Sequence, residues 1–212
     1  APAGRSTAPA HAVAGDGAIV PEVVHALDDF GVHPLSLLMV LVGRVEAVMA
    51  DLAMPYAERP LREGGRRAVE TWDIASVLLR LSGGVTGVLA LNRSAWGRKG
   101  RIALQIFGSK GTIAYDQERM NEFELFTSDE RGSEQGFRKV LTAPVHAPYD
   151  RFIPAPGHGL GFNELKIIEC RELLRAIGGE TARVIDFSRG LEIERAVHAM
   201  AQSFREGRWV AV

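Results

Sequence analysis

The sequence predicts an α+β fold, in which a large, open, mostly antiparallel β-sheet has helices packed on one face. Three observations carry this prediction. Apolar residues recur at helical spacing at both ends of the chain, about seven short strand-like segments lie between them, and glycine-rich turns join neighbouring segments. Consecutive hairpins favour antiparallel pairing, and strands with one apolar side need cover on only one face.

The composition excludes several classes of protein. Of 212 residues, 46% are hydrophobic and 24% are charged, which is typical of a globular domain. The net charge of −1 provides no general positive field to hold nucleic acid. The longest apolar run, residues 35–42, is too short to cross a bilayer, so we expect no membrane partner. The single cysteine, Cys170, cannot form an internal disulfide and fits a reducing cytoplasm.

The beginning of the chain combines a leader with a helix. Residues 1–17 are rich in Ala, Gly and Pro and lack a hydrophobic period, which predicts a flexible leader before a domain that spans residues 18–212. Apolar residues then recur at helical spacing over residues 19–42. Pro34 lacks a backbone N–H and predicts a kink near Phe30, and Gly43 stands where glycine commonly follows a helix.

The middle and the end of the chain alternate between strands, loops and helices. We predict strands at residues 45–53, 69–81, 85–92, 101–107, 112–115, 122–127 and 137–141, and an edge strand within 208–212. A proline-rich loop at 142–161 precedes helices at 162–177 and 187–205. We expect Cys170 and His198 on the buried faces of these helices, and Arg62, Arg66 and Arg67 in a solvated loop.

The opening helix carries the densest group of polar residues. His25, Asp29 and His33 are four residues apart, which places them along one helical face. A carboxylate one turn before an imidazole can hold one tautomer and raise its basicity, as a general base requires. The same spacing also occurs in exposed pairs of little energetic value. A metal site on these three residues is a further alternative, but the usual zinc spacings and a fourth ligand are missing, so we expect none.

Two turns hold further candidates for ligand binding. Arg93 and Trp96 lie in a turn between strands, where they could bind a polyol or sugar acid, or form a solvated tip or an oligomer contact. The glycine-rich residues 157–161 follow a loop and lack the third glycine of a dinucleotide motif. This turn instead places His158 and Asn163 at a helix N-terminus, where a hydroxyl or an oxyanion could dock.

Three collinear motifs resemble the Gfo/Idh/MocA oxidoreductases, the group of glucose–fructose oxidoreductase and inositol dehydrogenase. The first is the D-x-G-x-H segment from Asp29 to His33 in the opening helix. The second is Asp73 with the hairpin at residues 83–87 and the glycine turn at 106–113. The third is the ending from Asp186 to Val210.

The resemblance implies the substrate-binding and oligomerisation half of a dehydrogenase that acts on a sugar, polyol or related hydroxylated molecule. An N-terminal Rossmann domain, absent from this chain, would bind NAD or NADP, and this chain alone would bind no cofactor and be inactive. His33 would take the proton of the substrate hydroxyl, and Asp29 would orient the imidazole or relay the proton. Homo-oligomers would form through the open sheet face. Ser36 stands where many members have a second aspartate.

Two other functions compete with this interpretation. The chain could be a non-catalytic scaffold that associates with itself through its sheet. It could also be a metal hydrolase that uses His25, Asp29 and His33 as ligands.

Overall fold

The computed structural model describes residues 26–129 and 132–212. They form two compact units. The first unit contains residues 26–96 together with Phe187–Val212, and the second unit is Gly97–Asp186. The leader predicted at residues 1–17 and the first residues of the predicted opening helix lie outside the described residues.

The secondary structure follows the predicted order of helices and strands. The helices are α1 (Val32–Leu41), α2 (Phe162–Ile177) and α3 (Phe187–Glu206). The strands are β1 (Val45–Ala53), β2 (Glu58–Pro60), β3 (Arg66–Ala68), β4 (Ile74–Leu81), β5 (Val85–Asn92), β6 (Ala103–Gly108), β7 (Gly111–Asp116), β8 (Glu122–Thr127), β9 (Arg138–Leu141) and β10 (Val210–Ala211).

The opening helix changes its winding halfway along. Ala26–Gly31 is a π-helical turn, and α1 follows it directly. Pro34 has no N–H to donate to the Phe30 carbonyl four residues earlier, so the backbone before it can widen into π-helical winding. The break predicted near Phe30 is therefore present as a change of winding. Gly43 follows the helix with a φ of 143°, a conformation that favours glycine.

Gly31 allows the π-helical turn to approach the sheet closely. A Cβ atom on Gly31 would lie 3.2 Å from Leu91 Cδ1, and Leu91 is buried near the end of β5. This contact holds the turn that carries Asp29 against the strand that leads to Arg93. The glycine within the D-x-G-x-H segment therefore has a packing role.

In the first unit, β10, β1, β4 and β5 form a four-stranded antiparallel sheet in that order. Burial alternates along its strands, so that Leu79 on β4 is buried whereas its neighbour Leu78 is half-exposed. Leu35 of α1 and Met200 of α3 join Leu79 in one hydrophobic core. Helices thus cover one face of this sheet, as predicted.

A buried serine on α3 accepts a backbone hydrogen bond from β1, beyond the point where the short strand β10 ends. β10 pairs with β1 at Ala47 and Val48. Further along, the Ala50 N–H donates to Ser203 Oγ at 3.0 Å, and this hydroxyl donates to the Arg208 carbonyl at 2.6 Å. Leaving a buried N–H unsatisfied costs about 1–3 kcal/mol. The helix hydroxyl therefore takes the place of a longer edge strand.

The segment between β1 and β4 is a hairpin rather than the loop expected around Arg62. Arg66 and Arg67 belong to β3, which pairs with β2 and places Arg67 opposite Arg59. Arg66 Nε donates to Glu58 Oε2 at 3.0 Å. The loop prediction is wrong for Arg66 and Arg67, because every residue of both strands is exposed and the sequence therefore shows no alternation of apolar and polar residues.

In the second unit, β6, β7, β8 and β9 form a four-stranded antiparallel sheet in sequence order. The predicted α+β class and its antiparallel pairing are confirmed. The prediction of one large sheet needs correction, because the long strands of the described residues divide between two four-stranded sheets. Residues 93–102, which connect β5 to β6 in the sequence, contain no strand.

Two residues expected in the core are exposed, and both expectations were wrong. Cys170 on α2 and His198 on α3 face solvent. In the described part of the second unit, α2 has no buried residue, so its apolar positions do not define a buried face there. No helix among residues 26–129 and 132–212 is long and apolar enough to span a membrane.

Glu172 on α2 anchors the segment that follows the helix. Its carboxylate accepts hydrogen bonds from the Arg183 N–H at 3.1 Å and from Arg175 Nη1 at 3.1 Å. Only 13% of its side chain is exposed. The Arg183 N–H and the Arg175 guanidinium hold the pKa of Glu172 below its ordinary value.

We expect Glu172→Gln to lower the Tm of the second unit near neutral pH and to have little effect in acid. The folded-state pKa lies below the unfolded value of about 4.3. The carboxylate therefore stabilises the fold fully above that pH, and its contribution is lost as the pH falls through the folded-state pKa. Circular dichroism should show a Tm difference that is largest above about pH 5 and shrinks towards about pH 3. Glu169→Gln, at an exposed position of the same helix, is the control. A difference that stays constant with pH would contradict this prediction.

Candidate functional site

The side chain of Arg93, which directly follows β5, contacts two residues of the opening helix. Its Nη2 lies 3.5 Å from Asp29 Oδ2, and its guanidinium carbon lies 5.0 Å from the centroid of the Phe30 ring. A guanidinium over an aromatic face is attracted by the negative face of the ring, and the carboxylate adds a charge pair. The fold therefore brings together Asp29 and Arg93, which are separate candidates in the sequence.

Asp29 and His33 are both accessible at the junction of the two helical windings. Asp29 lies in the π-helical turn and His33 is the second residue of α1. The Asp29 side chain is 57% exposed, and His33 is also exposed. Ser36 Oγ donates to the His33 carbonyl at 2.8 Å, so this serine contacts the backbone. An accessible imidazole can meet a substrate hydroxyl, which is the first geometric requirement for a general base.

An open cleft of about 490 Å³ lies between the β2–β3 hairpin and the turn after β5. Small-molecule sites commonly have volumes of about 300–1,000 Å³. Tyr56 and Arg59 line the cleft from the hairpin region, and Arg93 and Trp96 line it from the turn. Trp96 is 92% exposed, so its ring is available to a ligand. Arg93 thus contacts Asp29 and also lines the cleft.

Asp73 fixes the two walls of this cleft to each other. It is only 5% exposed. Its Oδ2 accepts hydrogen bonds from Arg59 Nη2 at 2.5 Å and from Ser94 Oγ at 3.1 Å. Its backbone carbonyl accepts from the Arg93 N–H at 2.9 Å. A buried carboxylate requires such partners, and here they hold the hairpin against the turn.

The sequence did not identify Tyr56, Arg59 or Asp73 as site residues. The available signal was Asp73 itself, an acidic residue that directly precedes the alternating apolar residues of β4. A carboxylate at the start of a core strand needs a partner, which predicts a nearby cation without saying which one. No pattern in the sequence singles out Tyr56 or Arg59 from other exposed residues.

The second unit contains the other two predicted site residues. His158 is exposed, and its Nδ1 lies 3.2 Å from the Ala155 carbonyl. Asn163 is the second residue of α2 and is also exposed. The loop before α2 is held by Asn121, whose amide bonds both the N–H and the carbonyl of Leu160, at 2.7 and 2.9 Å. The turn is therefore anchored, and both candidates remain accessible.

The metal alternative finds no support among the described residues. His25 lies outside them. Within residues 26–129 and 132–212, no three His, Cys, Asp or Glu side chains are placed to hold a metal ion together.

The α+β architecture and the D-x-G-x-H segment define a class of protein. Residues 23–114 match the C-terminal domain of the Gfo/Idh/MocA oxidoreductases. The resemblance to the Gfo/Idh/MocA oxidoreductases noted in the sequence is confirmed by this match.

Individual relatives are levoglucosan dehydrogenases and similar enzymes. The levoglucosan dehydrogenase of Pseudarthrobacter phenanthrenivorans is 30% identical over 200 residues, which cover 88% of this chain and 51% of that protein. The structure of a levoglucosan dehydrogenase in complex with NADH and L-sorbose matches with a TM-score of 0.84 at 31% identity, over 88% of this chain and 50% of that one. An NAD binding oxidoreductase from Klebsiella pneumoniae matches with a TM-score of 0.83 at 30% identity and the same coverage. The chain spans about half the length of the curated relative that it matches.

The described residues do not form a dinucleotide site of the Rossmann type. Such a site places the pyrophosphate at a helix N-terminus within a parallel βαβ unit. All strand pairs among residues 26–129 and 132–212 are antiparallel.

Proposed function

We propose that this chain is the substrate-binding and oligomerisation domain of an NAD- or NADP-dependent dehydrogenase that acts on a sugar, polyol or related hydroxylated molecule. The observation that carries the proposal is that Arg93 contacts Asp29 and also lines the cleft. Through Arg93, the segment that carries Asp29 and His33 is connected to a cleft whose volume suits a small molecule. The cofactor partner is an N-terminal Rossmann domain. The single cysteine supports a reducing location such as the cytoplasm.

Each candidate residue has a role in this proposal. His33 takes the proton of the substrate hydroxyl, and Asp29 orients the imidazole while Arg93 restrains the Asp29 carboxylate. Arg93 and Trp96 bind hydroxyls and a ring face of the substrate. The nicotinamide, bound elsewhere in the whole protein, supplies the hydride acceptor.

In the second unit, His158 and Asn163 are further candidates to bind substrate hydroxyls. Both are exposed on an anchored turn next to the N-terminus of α2. A neutral imidazole and an amide each offer a donor and an acceptor, which suits a hydroxyl group.

A kinetic assay of the full-length protein tests the proposed function. We expect it to reduce NAD⁺ or NADP⁺ with levoglucosan or another member of a panel of sugars and polyols, as followed by nicotinamide absorbance. This chain alone should show no turnover, because the reacting carbon and the cofactor must be held together. If the full-length protein reduces neither cofactor with any member of the panel, the proposed function is wrong.

The exposed side of the first unit's sheet carries an apolar row that suits self-association. Met49, Leu78 and Val88 are cross-strand neighbours on β1, β4 and β5. Leu78 is 48% exposed and Val88 is 74% exposed. Contiguous apolar patches on a protein surface commonly mark interaction sites. A second copy of the chain is the proposed partner of this row.

We expect Val88→Arg to shift the protein from oligomer to monomer. The substitution places a charge at the β5 end of the row, on its most exposed residue, and burying it against a second copy is costly without a partner. Size-exclusion chromatography with light scattering should show a lower mass at the same protein concentration. Val145→Arg is the control, since Val145 is 83% exposed in the loop before α2. An unchanged mass for Val88→Arg would remove this face as the oligomer contact.

The same apolar row supports a second candidate function, that of a non-catalytic scaffold. A scaffold would form the oligomer but show no turnover in the full-length protein with any hydroxylated substrate. The kinetic assay therefore separates the two functions.

A further inference from the structure

The cleft extends beyond Arg93 and Trp96 to Tyr56 and Arg59, two residues to which the proposed function gives no role. Tyr56 and Trp96 both line this cleft, with 45% and 92% of their surfaces exposed. Two accessible aromatic rings in one cleft offer two apolar faces on which a flat ligand ring can stack. Tyr56 also presents a hydroxyl that can donate or accept a hydrogen bond.

The charged groups of the cleft occur in pairs. Arg59 is bonded to Asp73, and Arg66 Nε lies 3.0 Å from Glu58 Oε2. Arg93 is paired with Asp29. Each of these guanidinium groups therefore has a carboxylate partner. Closely spaced donors and acceptors of this kind suit the hydroxyl groups of a sugar.

The hairpin side of the cleft is held in place before a ligand arrives. The bond from Arg59 to the buried Asp73 fixes the guanidinium, and the Arg59 guanidinium carbon lies 5.6 Å from the Tyr56 ring centroid. Because Asp73 also bonds Ser94, the Arg59–Asp73 pair sets the distance between the hairpin and the turn. A cleft that is preorganised in this way loses less conformational freedom when a ligand binds.

We propose that the region bounded by Tyr56, Arg59 and Trp96 is a second carbohydrate subsite, so that the substrate carries a second sugar ring in addition to the ring that is oxidised. Trp96 and Tyr56 stack on the second ring, and Arg59, positioned by Asp73, bonds its hydroxyls. The inference rests on the proposed function, because that function supplies the ring that is oxidised.

Binding of maltose, a two-ring probe, can be followed through the three tryptophan indole N–H signals in NMR spectra of this chain. We expect maltose to shift the Trp96 signal in a saturable way and levoglucosan, a single-ring probe, to bind at least several-fold more weakly. Trp209 stacks on Arg80 at 4.2 Å and does not line the cleft, so its signal is an internal control. Equal affinities for the two probes, or no saturable shift of Trp96, would overturn the proposal.

Three variants test the residues that form the subsite. Trp96→Ala should weaken maltose binding about tenfold, whereas Trp209→Ala should leave it unchanged. Asp73→Asn should weaken binding by releasing Arg59. Since Asp73 is buried and its replacement can unfold the turn, Arg59→Ala, at a side chain that is 52% exposed, is the second test of this contact. Unchanged maltose affinity in both Trp96→Ala and Arg59→Ala would overturn the proposal.

Kinetics of the full-length protein separate this inference from the proposed function. Trp96→Ala should lower kcat/KM about tenfold more for a two-ring substrate than for levoglucosan, mainly through KM. If the protein oxidises levoglucosan but maltose does not bind at Trp96, the subsite alone is wrong. If maltose binds at Trp96 but no sugar is oxidised, the proposed function is wrong and the carbohydrate site remains.

Discussion

Replacing His33 by alanine in the full-length protein is expected to lower kcat about 10²–10⁴-fold. His33 is exposed at the start of α1, one helical turn after Asp29. Its imidazole can accept the hydroxyl proton, and alanine offers no replacement. His33→Gln should lose as much, because an amide can bond the hydroxyl but cannot take its proton. Steady-state kinetics with levoglucosan measure the effect, which should fall on kcat more than on KM.

His198→Ala is the matched control for this prediction. His198 is an exposed histidine on α3 and does not line the cleft. Its loss should leave kcat unchanged, so that a general effect of removing a surface histidine is excluded. A His33→Ala enzyme with the wild-type rate would refute the assignment of His33 as the base.

Leu79→Ala is expected to destabilise the first unit by about 2–5 kcal/mol. Leu79 is 1% exposed and lies opposite Val48 and Gly87 in the sheet. Alanine leaves a cavity beneath the helices and loses the burial of the removed atoms. Urea unfolding followed by tryptophan fluorescence reports on this unit, because Trp72, Trp96 and Trp209 all belong to it.

Leu78→Ala is the control on the same strand. Leu78 is 48% exposed on the opposite face, and surface substitutions usually change stability by less than about 0.5 kcal/mol. If the loss of unfolding free energy in Leu78→Ala grows with protein concentration, it reports association through the apolar row. The loss in Leu79→Ala should not depend on concentration. Equal losses in the two variants at low concentration would contradict the assignment of the two faces.

Much of the fold could be predicted from the sequence. The bounds of β1, β5, β8 and α2 are those predicted. These segments combine a clear hydrophobic period or β-branched residues with turn residues or glycines at their ends, and such signals act locally. The edge strand β10 was predicted for the same reason.

The hairpin β2–β3 and the division into two sheets could not be predicted in this way. Every residue of the two hairpin strands is exposed, so the sequence shows no periodic pattern of apolar and polar residues there. The division of the sheet depends on how residues 93–102 leave β5, and turn residues alone do not say whether a ladder resumes. Both features depend on pairing between segments, which periodicity does not encode.

The candidate site shows the same contrast. The sequence by itself determined the helix that carries Asp29 and His33, its break before Pro34, and the turn that carries Arg93 and Trp96, because backbone chemistry and spacing are local. Only the tertiary structure decided that Arg93 pairs with Asp29 and that buried Asp73 ties Arg59 to Ser94. Those partners are 64, 14 and 21 residues apart in the chain. The packing of Gly31 on Leu91 and the pairing of β4 with β1 and β5 bring them within bonding distance.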